Sequence, residues 1–145
     1  MSHGLTVEHT IDATPEVVFD TFIDPDAQHA LYADSPDWIV RSECDLRVGG
    51  RWTISFGAPD AEPALEVNVF EEIDRPRRLV YRSTMTLPDG SSFESTVEVS
   101  LVAEGATTRL RIVQEGFPSV ELRDEFRSGW GSIVAQLARV ARTRS

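Results

Sequence analysis

The stretch "DLRVGGRWTISF" (residues 45–56) decides the fold, because it joins a glycine pair to a strand of bulky side chains. Trp52, Ile54 and Phe56 alternate with polar residues, which is the pattern of a strand with one buried face. The pair Gly49-Gly50 stands directly before this strand, although glycine weakens strands. We interpret the pair as a tight turn or kink, since curved sheets are built with glycines and bulges.

Composition predicts one globular domain over residues 1–145 and argues against several partners. Hydrophobic residues make up 41% of the chain and charged residues 26%, which is ordinary for a globular protein. The formal net charge is -10, and all 14 basic residues are Arg. A nucleic acid or an anionic membrane surface would require a basic patch, so we expect neither partner.

Cys44 and the N-terminal residues provide information on the cellular localisation of the protein. A single cysteine cannot form an intramolecular disulfide bond, which excludes a disulfide scaffold. Residues 1–10 lack the basic region and apolar run of a signal peptide, and no stretch is suited to a membrane-spanning helix. We therefore expect a cytoplasmic protein, monomeric or homodimeric, that does not insert into membranes.

The order of hydrophobic patterns predicts an α+β fold. A strand over residues 5–11 is followed by two short helices, with Thr14 and Asp24 as caps and a proline after each. From residue 38 to residue 116 the hydrophobic period is two, with turns such as the Asp-Gly pair within residues 88–90. Hairpins in series predict an antiparallel sheet, here of about seven strands.

The sequence ends in one long amphipathic helix after Ser119, its predicted cap. Its apolar face is predicted to carry Phe126, Trp130, Ile133, Leu137 and Val140. A single helix covers a seven-stranded sheet only if the sheet is strongly curved. We therefore predict a curved antiparallel sheet wrapped around the C-terminal helix.

Two features indicate space between sheet and helix, and each also has a simpler explanation. Ser83, Ser95 and Gln114 occupy the inward register of their strands, where they could face a cavity or lie near solvent at fraying strand ends. The sequence "GWG" (129–131) places a glycine on each side of an indole, at a cost of about 1 kcal/mol each. These glycines could permit close helix–sheet packing or leave space beside the indole.

Other residue types that carry chemistry form no recognisable site. His3, His9 and His29 share no metal-ligand spacing, so we predict no metal site and no cofactor. We place His9 in the apolar register of the first strand, as a wall residue. The acids, mostly assigned to the solvent-facing register of their strands, are Glu43, Asp45, Glu66, Glu71, Glu94 and Glu98.

Five segments in series resemble one known family. They are "ATPEVVFDTFIDPDA" (13–27), "DLRVGGRW" (45–52), "EEIDRPRRLVYR" (71–82), "TTRLRIVQEGF" (107–117) and "SGWGSIVAQLARV" (128–140). In this order they resemble AHSA1-like proteins, named for the activator of Hsp90 ATPase, of the START-like, Bet v 1-like (SRPBCC) superfamily. The resemblance covers nearly the whole chain and implies a helix-grip fold with a cavity between sheet and helix. The chain departs from many relatives at "ALYADSPDW" (30–38), where they carry a Trp-rich segment near the cavity mouth, so no ligand is carried over.

Our leading hypothesis is a protein that binds a small apolar or amphipathic molecule, lipid-like or polyketide-like, between the sheet and the C-terminal helix. Burial of apolar area would drive binding, and Ser95 and Gln114 would orient the ligand. The predicted ligand-binding residues are Trp52, Phe56, Tyr81, Phe93, Ser95, Gln114, Phe126, Trp130 and Val134.

Two other functions remain open at this point. The family resemblance implies a co-chaperone-like role, in which an acidic outer face or groove would contact a partner chaperone. A cyclase or hydratase would instead use the cavity for catalysis, with His9 or Tyr81 relaying protons. We favour a binding protein over an enzyme and assign no catalytic residue.

Overall fold

The structure is a computed structural model that describes residues 3–144. Its elements are β1 (His3–Ile11), α1 (Pro15–Ile23), a 3₁₀ turn (Pro25–Ala27), α2 (Gln28–Tyr32), β2 (Ile39–Cys44), β3 (Arg51–Gly57), β4 (Ala64–Asp74), β5 (Arg78–Thr86), β6 (Ser92–Glu104), β7 (Thr107–Phe117) and α3 (Val120–Arg144). All seven strands form one antiparallel sheet in the order β1-β7-β6-β5-β4-β3-β2. The curved sheet and the long helix α3 confirm the predicted α+β fold class.

The glycine pair makes the turn between β2 and β3, as predicted. Gly49 has a φ of 83°, a conformation that only glycine adopts readily. A Cβ atom at Gly50 would collide with the backbone carbonyl oxygen of Asp45. The turn is also tied to β4, because the Gly49 N–H donates to Phe70 O at 2.8 Å and the Phe70 N–H donates to Gly50 O at 3.1 Å. The pair therefore allows a close approach of three chain segments beside the start of β3.

Side-chain caps begin the helices at the predicted positions. Thr14 Oγ1 accepts from the Val17 N–H at 3.4 Å, and Ser119 Oγ accepts from the Leu122 N–H at 3.1 Å. Asp24 Oδ1 caps the 3₁₀ turn before α2. These bonds satisfy N–H groups that have no partner within their own helix.

The buried face of α3 differs from the predicted stripe. Its buried residues are Trp130, Val134, Leu137 and Ala141, whereas the predicted members Phe126, Ile133 and Val140 are only half-buried. Steps of four, three and four from Trp130 define the observed face. Phe126 and Ile133 stay partly exposed because they border a cavity.

The burial of two residues differs from the predictions. Glu66 was assigned to the solvent-facing register but is only 7% exposed, because its β-bridge partners Ile54 and Met85 both point into the core. His9 was assigned to the apolar wall but is exposed. It belongs to β1, an edge strand whose inner register is buried at Leu5 and Ile11 but not at His9.

Candidate functional site: a cavity between the sheet and α3

A cavity of about 500 Å³ lies between the inner face of the sheet, α2 and residues 125–136 of α3. Its lining residues are Leu31, Tyr32, Ala33, Asp34, Trp38, Phe56, Ala64, Glu66, Ser83, Met85, Leu87, Val97, Gln114, Glu125, Phe126, Gly129, Trp130, Ser132, Ile133 and Gln136. The sheet residues Ala64, Ser83, Val97 and Gln114 are buried, whereas Asp34, Glu125 and Ser132 are exposed. The cavity thus has a buried floor on the sheet and an exposed rim formed by α3 and the segment after α2.

The floor contains a hydrogen-bonded chain of three side chains. Trp130 Nε1 donates to Gln114 Oε1 at 2.7 Å, and Gln114 Nε2 donates to Ser95 Oγ at 2.8 Å. Gln114 is 4% exposed and Ser95 is 5% exposed. These inward polar residues therefore do not lie near solvent at fraying strand ends. Their bonds hold the indole of Trp130 in a fixed orientation on the cavity wall, since each buried polar group has a partner.

A buried carboxyl group, Glu66, forms another part of the floor. Asn68 Nδ2 donates to Glu66 Oε2 at 2.8 Å, and the Tyr32 hydroxyl donates to Oε1 over a long 3.4 Å. Burial raises the pKa of Glu66 because it disfavours the charged form, and these two hydrogen bonds oppose the rise without cancelling it. Burial on the cavity floor therefore favours the protonated form of Glu66.

Two tyrosine hydroxyls lie in the same electrostatic environment. Burial, together with the charge of Glu66, raises the pKa of both Tyr32 and Tyr81 well above the ordinary value for tyrosine. The Tyr81 hydroxyl has no hydrogen-bond partner among the described residues, and neither has Oδ1 of Asn68. The region around Glu66 is therefore polar but incompletely hydrogen-bonded.

The structure brings four of the nine predicted ligand-binding residues to the cavity surface: Phe56, Gln114, Phe126 and Trp130. The other five, Trp52, Tyr81, Phe93, Ser95 and Val134, do not border it. Trp52 is fully buried, with its ring 5.4 Å from those of Phe22 and Tyr81. Phe93 packs against Phe126, and Ser95 lies behind Gln114. These residues support the wall rather than forming its surface.

Sequence reasoning missed Tyr32, Trp38, Glu66 and Met85 as lining residues. Tyr32 and Trp38 lie in the 30–38 segment. The departure of this segment from the family pattern was the sequence feature that pointed to this part of the cavity. Glu66 lies between Leu65 and Val67, apolar residues that point outward from β4. Because both faces of this strand carry apolar residues, its period did not reveal which face is buried.

The glycines beside Trp130 are exposed on α3 and are not sites of close helix–sheet packing. A Cβ atom at either Gly129 or Gly131 would meet nothing within 4 Å, so the close-packing interpretation is wrong. Only Gly129 borders the cavity. The helix α3 continues without interruption through both positions.

Other reactive groups of the described chain lie outside the cavity. Burial, helped by the charge of Asp45, raises the pKa of the Cys44 thiol to about 11, which makes the thiolate scarce at neutral pH. Across residues 3–144, no three His, Cys, Asp or Glu side chains are placed to hold a metal ion. Within the same range, no helix is long and apolar enough to cross a membrane.

Comparison with known proteins identifies the family. A profile described as "Activator of Hsp90 ATPase homolog 1-like protein" matches residues 12–142. The chain belongs to this AHSA1-like family. Among curated proteins, none matches the sequence.

Solved structures of AHSA1-like and similar proteins share the fold. A protein from Chromobacterium violaceum is 24% identical with a TM-score of 0.82, and the match covers 95% of this chain and 96% of that one. A Rhizobium loti protein is 23% identical with a TM-score of 0.81, covering 96% of each chain. The AHSA1-like protein from Aeromonas hydrophila is 24% identical with a TM-score of 0.76, covering 98% of this chain and 94% of that one. At this identity the similarity establishes the fold alone.

Proposed function

We propose that the protein binds a small apolar or amphipathic molecule in the cavity between the sheet and α3. The observation that carries the proposal is the contrast between a buried floor and an exposed rim within one cavity of about 500 Å³. Sites for small molecules typically have volumes of roughly 300–1,000 Å³ and are mostly apolar, with a few placed polar groups.

The lining supports a ligand of mixed character. Phe56, Met85 and Trp130 offer apolar surface, whose burial by a ligand would contribute about 25 cal/mol per Å². Glu66 and the Ser83 hydroxyl offer hydrogen-bonding groups on the floor. Both groups of Gln114 are engaged by Trp130 and Ser95, so this residue would position the indole rather than contact the ligand with a free amide.

The test uses the neutral fluorescent probe N-phenyl-1-naphthylamine and a matched pair of glycine variants. Gly129→Phe places a large side chain at a residue that lines the cavity, whereas Gly131→Phe makes the same change at a residue that does not line it. Both positions are exposed and spacious, so both variants should fold. We expect saturable binding to the wild type, a loss of about tenfold or more in affinity for Gly129→Phe, and no comparable change for Gly131→Phe.

Equal affinity of both variants would show that the probe binds elsewhere and would contradict the proposal. An absence of saturable binding to the wild type would also overturn it and would make the chaperone-interaction hypothesis the next to test, by pull-down. If binding behaves as expected, native mass spectrometry of freshly purified protein followed by organic extraction would identify the class of any co-purified ligand.

A further inference from the structure

The charged groups that line the cavity all carry the same sign. Asp34 and Glu125 lie at the exposed rim, and Glu66 lies on the buried floor. Within residues 3–144, no Arg or His side chain lines the cavity, and the sequence contains no Lys. An anionic headgroup, such as a carboxylate or phosphate, would therefore meet only like charges.

The aromatic lining favours the opposite charge. Tyr32, Trp38, Phe56, Phe126 and Trp130 all border the cavity. The faces of such rings attract cations, and ammonium ligands are commonly held in aromatic cages. Aromatic rings and carboxyl groups thus line the same space, and both attract an organic cation.

We propose that the cavity selects amphipathic organic cations, with an ammonium group beside Glu66 and an apolar body against the aromatic wall. This inference rests on the proposed function, because it names the class of ligand for the same cavity. Burial raises the pKa of Glu66, and a cation beside the carboxyl group would favour its charged form. Asp34 and Glu125 at the rim would attract the cation during entry.

The test compares three probes that share one apolar body: 4-phenylbutylamine, 4-phenylbutan-1-ol and 4-phenylbutyrate. Calorimetry at neutral pH gives the affinities. The indole N–H signals of Trp38 and Trp130, which line the cavity, report whether each probe enters it, and that of Trp52 serves as an internal reference. We expect the amine to bind about tenfold more tightly than the alcohol, and the carboxylate to bind more weakly than the alcohol.

Glu66→Gln tests the anchor, and Glu94→Gln is the matched control, since Glu94 is exposed and does not line the cavity. In Glu66→Gln the preference for the amine over the alcohol should fall to within about threefold. In Glu94→Gln the preference should persist.

The outcomes separate this inference from the proposed function. Binding of the carboxylate as tightly as the amine in the wild-type protein would overturn cation selection, while entry of any probe into the cavity would still support ligand binding. Retention of the full amine preference in folded Glu66→Gln would also overturn the inference. Failure of all three probes to bind or to shift the Trp130 signal would overturn the inference, and it would overturn the proposed function as well only if N-phenyl-1-naphthylamine also failed to bind.

Discussion

The two halves of α3 face the same sheet, but one half closes the core and the other borders a cavity. Leu137 and Ala141 in the second half have no exposed surface. Phe126 in the first half and Ile133 at the middle of the helix are half-buried and line the cavity. Both halves carry apolar residues at helical spacing, so periodicity alone does not distinguish them.

The size of some inward-facing sheet residues contributes to this difference. Those that line the cavity include Ala64 and Ser83, which are small, whereas Leu79, Leu101 and Leu110 in the filled part of the core are large. Protein interiors are close-packed, so small side chains beneath a helix leave space unless other atoms fill it. A core of this kind combines a close-packed region with a cavity.

The largest expected effect is the loss of unfolding free energy when a core residue in the second half of α3 is truncated. Leu137→Ala should cost about 2–5 kcal/mol of unfolding free energy, because it leaves a cavity in a filled region. Ile133→Ala should cost roughly 1 kcal/mol, because this side chain is already partly hydrated. Urea denaturation measures both values. Equal costs would show that α3 is packed as tightly around Ile133 as around Leu137, which would contradict the comparison.

A smaller effect tests the same difference by adding volume to the sheet. Ser83→Leu should change stability by no more than about 1 kcal/mol, because the added atoms enter existing space. Val99→Phe, in the filled region, should destabilise by about 1–3 kcal/mol through overpacking. Denaturation gives the stabilities, and Ser83→Leu should also weaken binding of N-phenyl-1-naphthylamine. A severe loss of stability in Ser83→Leu would mean that the space beside Ser83 is too small for a ligand.

The fold was predictable because its signals are local and agree with one another. Alternation along β5, β6 and β7 placed Tyr81, Val97 and Ile112 correctly on the inner face. The caps at Thr14 and Ser119 and the turn at Gly49-Gly50 gave the element boundaries. Each of these features depends on residues that are neighbours in the sequence.

The cavity lining was only partly predictable, because it depends on contacts between distant segments. Trp52 and Phe56 share one register of β3, yet Trp52 is sealed between Phe22 and Tyr81 while Phe56 borders the cavity. Glu66 was misplaced because apolar residues flank it on the outer face of β4. Its burial follows from pairing with β3 and β5, which no local pattern reveals.

The smallest expected effect is a pH dependence of stability caused by Glu66. Burial raises the pKa of this carboxyl group, so the folded protein retains a proton that the unfolded chain has already lost. The free energy of unfolding should therefore fall as pH rises above the ordinary glutamate range of about 4.3, and level off above the raised pKa. The facing groups Tyr32 and Tyr81 stay neutral throughout this range, because their pKa values are raised well above that of ordinary tyrosine. Glu66→Gln should remove this decline, so the difference in stability between variant and wild type should grow with pH and then become constant. Urea denaturation of both proteins across this range measures that difference, in which the contributions of other titrating groups cancel. A difference independent of pH would show that the carboxyl group on the cavity floor is hydrated enough to ionise normally, and would remove the distinction between a buried floor and an exposed rim.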